Sequence, residues 1–248
     1  MKKKLNIHIL LLLFPAVLSG QGFLVGFQSG VSSFGMTELK RFNEFVVGFS
    51  NLDAKPVHDY PSWFYYRANL AIDWKTFYIQ GVYNTTSTGS RYSIYDYSGE
   101  YLYDTRIRAE NPMVGFGVYL NKGPHLRFSL SNLVGRYDTE LELQEYLTVS
   151  TINYYDETTD LAARNYCWEP ALRCSWRKYF FQLSGYLGYL VQFEGEGLYP
   201  LENPDYHIKP GYAIKPVEPG WNGIRAGIEF SFFLSYKTII YLWNENPE

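Results

Sequence analysis

Cysteine is nearly absent from this chain. Of 248 residues only Cys167 and Cys174 carry a thiol. They stand seven apart in a segment that alternates like a strand, so their side chains point to opposite faces and cannot bridge within it. A disulfide framework is thereby excluded. Histidine is scarce as well, with 4 in the chain, and no CxxC or His pair stands at metal-ligand spacing. Charge of one sign is lacking: 22 Lys plus Arg meet 25 Asp plus Glu, a net charge of −3, which selects no polyanionic partner and gives no reason to expect nucleic acid. After the first turns of the chain no apolar run approaches the roughly 18 residues of a membrane-crossing helix. What is abundant is aromatic, with 24 Tyr, 17 Phe and 6 Trp.

Lys2, Lys3 and Lys4 precede the apolar run Ile9 to Phe14, followed by Ala16, Val17 and the small-residue exit around Leu18-Ser19-Gly20. This three-part pattern predicts a signal peptide over residues 1–20, removed on export. Gln21 and not a cysteine follows, so no lipid anchor is expected. The exported remainder is then either soluble or crosses a membrane as strands.

Apolar and polar residues alternate with period two through most of the mature chain. Tyr66, Ala68, Leu70 and Ile72 oppose Arg67, Asn69 and Asp73; Ile224, Ala226, Ile228, Phe230 and Phe232 oppose Arg225, Gly227, Glu229 and Ser231. Short links at Lys75-Thr76, 121–124 and Arg177-Lys178 alternate with long ones at 33–61, 147–160 and 200–220, and a hairpin closes near Ser98-Gly99. The segments predict eight strands, near 22–32, 62–74, 77–94, 101–120, 125–146, 161–176, 180–198 and 223–236. Trp74, Phe77, Trp176 and Phe181 flank the short turns on the apolar face, where a membrane barrel carries its aromatic girdle. A soluble sandwich would also alternate, but the girdle and the turn asymmetry favour an all-β, eight-stranded antiparallel up-and-down transmembrane barrel over residues 21–238, with 239–248 a short extension or the end of the last strand.

On these strands, girdle and leader the chain resembles the small outer-membrane β-barrels of Gram-negative bacteria, of the OmpA-like and OmpX-like type, and in particular the Tyr-rich barrels of Bacteroidota. The resemblance implies the cell outer membrane as location, outer-membrane lipid as surroundings, and insertion by the barrel-assembly machinery. That machinery usually reads a terminal aromatic residue, whereas here Thr238 to Trp243 continues apolar and Asn244 to Glu248 follows.

The polar phase carries Arg67, Arg106, Arg108, Arg127, Arg136, Arg164, Arg173 and Arg225 against Asp73, Glu110, Asp138, Glu140, Glu142, Glu169, Glu194, Glu196 and Glu229. An eight-stranded barrel is just wide enough for side chains to fill, so these are expected as a paired lumen network and a plug, with no open pore; a channel would favour one sign. Shifts of the apolar phase at Asn111-Pro112 and near Ser131 to Leu133 predict β-bulges. Leu39, Phe42, Phe45 and Val46 behind Thr37 predict a short loop helix, over the barrel mouth or packed on its neighbours. His58-Asp59 and Asp205-Tyr206-His207 are the only loop groups with catalytic or metal chemistry, and solvated histidines are the simpler account; neither an enzyme nor a cofactor is expected. The lipid-modifying barrel enzymes and a small-solute channel stand as alternatives. Phe77 to Leu120 is about twice what two tilted spans of roughly 9–11 residues need. A sheet projecting outside the cell is therefore expected, with Tyr95, Tyr97, Tyr101 and Tyr103 as a surface for a protein partner.

Overall fold

A computed structural model of the chain describes residues 22–49, 54–121, 123, 125–149, 152–193, 195–209 and 216–235, without the side chains of residues 153 and 154. The expected leader 1–20, Glu194 and the segment 236–248 lie outside the described residues. The elements in chain order are β1 (Gly22–Ser32), α1 (Thr37–Phe49), β2 (Lys55–Asp59), β3 (Trp63–Asp73), β4 (Phe77–Asp96), β5 (Gly99–Tyr119), β6 (Leu126–Val149), β7 (Ile152–Lys178), β8 (Phe181–Gln192), β9 (Tyr199–Pro200) and β10 (Gly223–Ser235). Strands β1, β3, β4, β5, β6, β7, β8 and β10 pair in that order, every neighbour antiparallel, and β10 returns to β1. The eight expected strands are these eight, and closure leaves the ring without a free edge.

Around the barrel runs a continuous belt of outward apolar side chains: Val25 and Phe27 on β1, Leu70 on β3, Val114, Phe116 and Val118 on β5, Leu172 and Trp176 on β7, Leu187 on β8, Phe230 on β10. Val114 is 63% and Phe230 64% exposed. Water would not tolerate such a band, whereas lipid requires it, because every strand hydrogen bond is already made within the ring. Trp74 stacks on Phe77 at 4.8 Å, and Phe181 packs on Phe180 and Phe232 at 4.4 and 5.1 Å, at the short-turn end. These rings form the girdle on that side. The third short turn is Tyr179-Phe180, two residues beyond the expected Arg177-Lys178, because Arg177 and Lys178 still pair with Gln182 and Phe181.

The expected bulges are not there. Glu110 pairs with Asp138 and Met113 with Gly135, one register on both sides of Asn111-Pro112. The register from Phe128 through Ser131, Asn132 and Leu133 to Val134 on β7 is equally unbroken. The strands run straight on, and it is their surroundings that change. On β6 the outward residues are Leu126, Phe128, Leu130 and Val134, then Arg136, Asp138, Glu140 and Glu142; the inward ones are Arg127, Ser129 and Ser131, then Leu133, Tyr137 and Leu141. Strand β5 inverts at the same height, from Val114, Phe116 and Val118 to Arg106, Arg108 and Glu110 on its outer face. Below the inversion the barrel is apolar outside and polar inside; above it the order is that of a water-soluble domain.

The upper storey is lopsided. Strands β4 to β7 have 20, 21, 24 and 27 residues, whereas β1, β3, β8 and β10 have 11 to 13. The long strands form a tall wall, widened by β2 on the edge of β4 and by β9 on that of β7. Helix α1 and the segment 216–222 cover its inner face. Leu39 and Phe42 of α1 pack with Phe34, Met36, Ile107, Met113, Leu133, Tyr137, Leu141 and Leu161 in one buried core. The helix cap falls one residue before the expected Thr37: Met36 takes a positive φ of 48° and its carbonyl accepts from Lys40 N at 2.9 Å, while Leu39, Phe42, Asn43 and Val47 repeat at helical spacing toward the core.

The inversion has a direct test. Phe116→Arg sits in the belt and should destabilise the barrel by about 2–4 kcal/mol, while Arg108→Ser, a few residues higher on the same face, should stay within about 0.5 kcal/mol. Urea unfolding of the chain refolded into lipid vesicles measures both. Equal effects would put the belt edge elsewhere.

Candidate functional site

Two places concentrate polar chemistry: the lower lumen and the tall wall. In the lumen, Glu169 on β7 receives Arg67 of β3 on Oε1 at 2.7 Å and Arg225 of β10 on Oε2 at 2.9 Å. All three side chains are wholly buried. The Tyr186 hydroxyl also donates to Glu169, and Arg67 Nε donates to Asn84. Asn84 passes the chain on to Asn111 at 2.8 Å, which donates to the Arg136 carbonyl at 2.8 Å. Arg173 reaches Glu229 and Gln80, both at 3.1 Å. Nearer the short turns Asp73 takes Arg177 at 2.9 Å, the Tyr119 hydroxyl at 2.7 Å and Arg127 at 3.5 Å. Tyrosine rings fill the space between: Arg67 lies 4.8 Å from the Tyr186 centroid and Arg173 5.5 Å from that of Tyr78. Tyr65 fits because β1 and β10 present glycines to it. A Cβ at Gly30 would meet its ring at 2.8 Å, and one at Gly227 its hydroxyl at 2.7 Å.

The structure thus brings Arg67, Asp73, Arg127, Arg173, Arg225 and Glu229 together inside the barrel. It corrects others that were expected with them. Arg106, Arg108 and Glu110 are 62%, 64% and 47% exposed and stand on the outer face, because they lie above the inversion, where the polar phase faces water. Arg136, Arg164, Asp138, Glu140 and Glu142 share that face. Arg177, an interior partner of Asp73, escaped the sequence reading because it was placed in a turn; its position in phase with Arg173 was the available signal.

Above the lumen the barrel is stoppered. Trp221 stacks on Tyr137 at 5.5 Å, meets Phe34 edge-on at 5.3 Å and donates Nε1 to Thr139 Oγ1 at 2.9 Å. Asn43 of α1, fully buried, donates to the Tyr60 hydroxyl at 2.8 Å and accepts from Tyr103 at 3.3 Å and Thr105 at 3.4 Å. Burial pushes the Tyr60 and Tyr103 phenols well above their usual range.

On the outer face of the wall a groove of about 850 Å³ runs over Arg91, Arg106, Arg108, Glu140 and Glu142, with Trp63 and His58 at one end and Leu201 at the other. Arg91 and Arg106 share Asp104 at 2.7 and 3.4 Å. At the tip, the Asp96 carboxylate accepts from Ser98 Oγ at 2.5 Å, Ser98 N at 2.7 Å and Gly99 N at 3.2 Å, which closes the β4–β5 turn and holds its pKa below the ordinary carboxylate value. Tyr95 and Tyr97 are fully exposed there. Tyr101 and Tyr103 are not: both are 2% exposed and pack with Tyr92 and Val47. The alternation that turns Tyr95 and Tyr97 to solvent continues across the turn with the opposite outcome, because α1 covers the inner face of the wall. His58 sits on β2 beside Arg91, while His207 packs edge-on to Tyr199 at 6.1 Å and meets the Gly197 carbonyl at 3.3 Å. Among the described residues no group of three His, Cys, Asp or Glu side chains could hold a metal ion. Cys167 is buried, Cys174 exposed, and both are free thiols.

Replacing Glu169 by Gln should strand two buried guanidinium groups and destabilise the barrel by about 3–5 kcal/mol, whereas Glu140→Gln on the outer face should cost less than about 0.5 kcal/mol; denaturant midpoints compare them. The raised phenols give a second expectation. Tyr60 and Tyr103 are neutral in the fold and ionise near pH 10 when unfolded, so their contribution is complete below about pH 10 and is lost as pH rises further. Tyrosinate absorbance and the unfolding midpoint should change together above that pH, and Tyr103→Phe should weaken the dependence.

No protein-family model matches the chain, and no curated protein matches it. Among solved structures, Ail, the attachment invasion locus protein of Yersinia pestis, crystallised with the heparin analogue sucrose octasulfate, matches at 8% identity over 86% of this chain and 95% of that one, with a TM-score of 0.40. The outer membrane protease OmpT from Escherichia coli matches at 10% identity over 87% and 96%, with a TM-score of 0.33. By its own strand order, closed ring and lipid-facing belt, the chain has the architecture of a small outer-membrane β-barrel.

Proposed function

We propose that the protein is a non-enzymatic barrel of the cell outer membrane whose lumen is sealed and whose tall wall, outside the cell, binds a protein partner as an adhesion surface or as a subunit of an envelope complex. The observation that carries the reading is the wall itself. Its strands run about twice the length a bilayer requires, and a scaffold whose only task is to sit in lipid has no use for the excess. The wall carries the groove beside Trp63, and at its tip Tyr95, Tyr97, Val149, Ile152 and Tyr155 are exposed. Such rings bury area with little rotamer entropy lost. Among the described residues, the stretch 152–159 of β7 pairs on one side only, with β6. That edge suits a partner that adds a strand.

The stopper speaks against conduction. Trp221, Met36, Leu39 and Phe42 close the lumen above, and Asp73 with Arg177 and Gln182 ties it together below. Insertion by the barrel-assembly machinery and contact with outer-membrane lipid belong to the same proposal.

Three measurements test it. The purified barrel should show no stable conductance in planar bilayers; a large one that Arg67→Gln alters would make it a channel. Lipid A from cells with and without the protein should have the same mass spectrum, and a difference would make it a lipid-modifying enzyme. Tyr95→Ser with Tyr97→Ser should leave heat-modifiable migration intact while reducing partner co-purification or cell adhesion several-fold. Loss of insertion in that variant would assign the tyrosines to assembly instead.

A further inference from the structure

The middle of the lumen carries one positive charge too many. Arg67, Arg173 and Arg225 face Glu169 and Glu229, and none of the five is more than 4% exposed. Arginine keeps its proton in proteins, so titration of the cations cannot remove the surplus, and an uncompensated charge away from water is among the costliest arrangements a protein can hold. The surplus falls on Arg225. Its Nη1 donates to Glu169, which Arg67 and Tyr186 also use. Among the described residues its Nε and Nη2 have no partner, and both are closed off from solvent. Together these two nitrogens are the side-on fork of the guanidinium, the edge that receives an anion bidentately.

At Arg177 and Arg136 that fork is filled. Arg177 holds Gln182 Oε1 with Nε at 3.0 Å and Nη2 at 2.7 Å, and Arg136 holds Asp138 Oδ2 with the same two atoms at the same distances. The rings of Tyr65 and Tyr137 lie 5.5 and 5.6 Å from the Arg225 guanidinium carbon and occupy its surroundings, so a ligand has the edge to approach. Arg67 Nη1 and Arg173 Nε, also buried, are unpartnered in the same cluster. Gln28 Oε1 is a buried acceptor without a partner on the adjoining strand. A neutral amide at the fork would in any case leave the charge where it was.

We propose that the Arg225 edge binds one monovalent inorganic anion of the halide class, enclosed as the barrel closes. A single negative charge neutralises the cluster, whereas a dianion such as sulfate would overshoot it. The site is independent of what the tall wall binds. Its role is to let three arginines cross-brace β3, β7 and β10 with only two carboxylates.

A ligand of the folded state stabilises it by mass action. The chain is refolded from urea into vesicles in sodium chloride or in sodium gluconate at equal ionic strength, so that the anion is present at closure. Melting in chloride should rise by roughly 3–5 °C for each tenfold increase above the dissociation constant and stay flat in gluconate. Arg225→Gln, which removes the surplus, should abolish the difference, while Arg127→Gln near the short turns should keep it. Should Arg225→Gln fail to fold, the wild type decides alone: crystals of protein refolded in bromide should give an anomalous peak within hydrogen-bonding reach of Arg225 Nε and Nη2. Equal melting in the two salts overturns the proposal, as does electron density of a water or of the Gln28 amide at the fork. Bromide found only on the barrel surface marks an adventitious ion and overturns it equally.

Discussion

The buried carboxylate of Glu169 is the constraint around which the barrel is arranged. It sits on β7 and takes Arg67 from β3 and Arg225 from β10, so one side chain ties three strands across the lumen. The outward faces of these strands are committed to lipid, and lipid offers no hydrophobic gain for pulling the walls together. Cohesion has to come from inside, through charge-assisted hydrogen bonds in a medium that barely screens them. The tyrosines belong to the same device, since their rings lie against the guanidinium groups while hydroxyls such as those of Tyr186 and Tyr119 complete the carboxylate contacts. Inward glycines on β1 and β10 leave the room these rings need.

A few residues higher the logic reverses within the same unbroken strands. Once the outer face meets water, charge belongs there, and Arg106, Arg108, Glu110, Arg136 and Asp138 form surface pairs of small individual worth. The interior can then be an ordinary apolar core. Helix α1 and Trp221 supply what the short strands β1, β3, β8 and β10 do not reach high enough to provide. The stopper is therefore a consequence of unequal strand lengths. A wall that rises on one side only exposes an apolar inner face, and the chain returns a helix and a loop to cover it.

These two halves divide the work. The lower storey is a rigid, edge-free anchor in lipid. The upper storey offers a groove, exposed aromatic residues at a hairpin tip, and a strand that is paired on one side only among the described residues, none of which the bilayer asks for. It is on these features that the proposed reading, a barrel that presents a surface rather than conducts a solute, rests.

The sequence by itself determined the eight strands of the ring, two of the three short turns and the third to within two residues, and which face of each membrane-spanning segment meets lipid, because alternation with period two and interfacial aromatics are local properties. It also marked α1, through Leu39 and Phe42 at helical spacing behind Thr37. It could not decide which side of a strand is the inside. Alternation defines two faces without labelling them, so the apolar phase change at Asn111-Pro112 reads equally as a bulge or as a change of surroundings. Only the unbroken register of β5 with β6 distinguishes the two. That one ambiguity carried Arg106, Arg108 and Glu110 into the lumen on paper and left Tyr101 and Tyr103 on the surface. Their true places follow from tertiary structure alone: the height at which lipid gives way to water, and the return of α1 over the inner face of the wall.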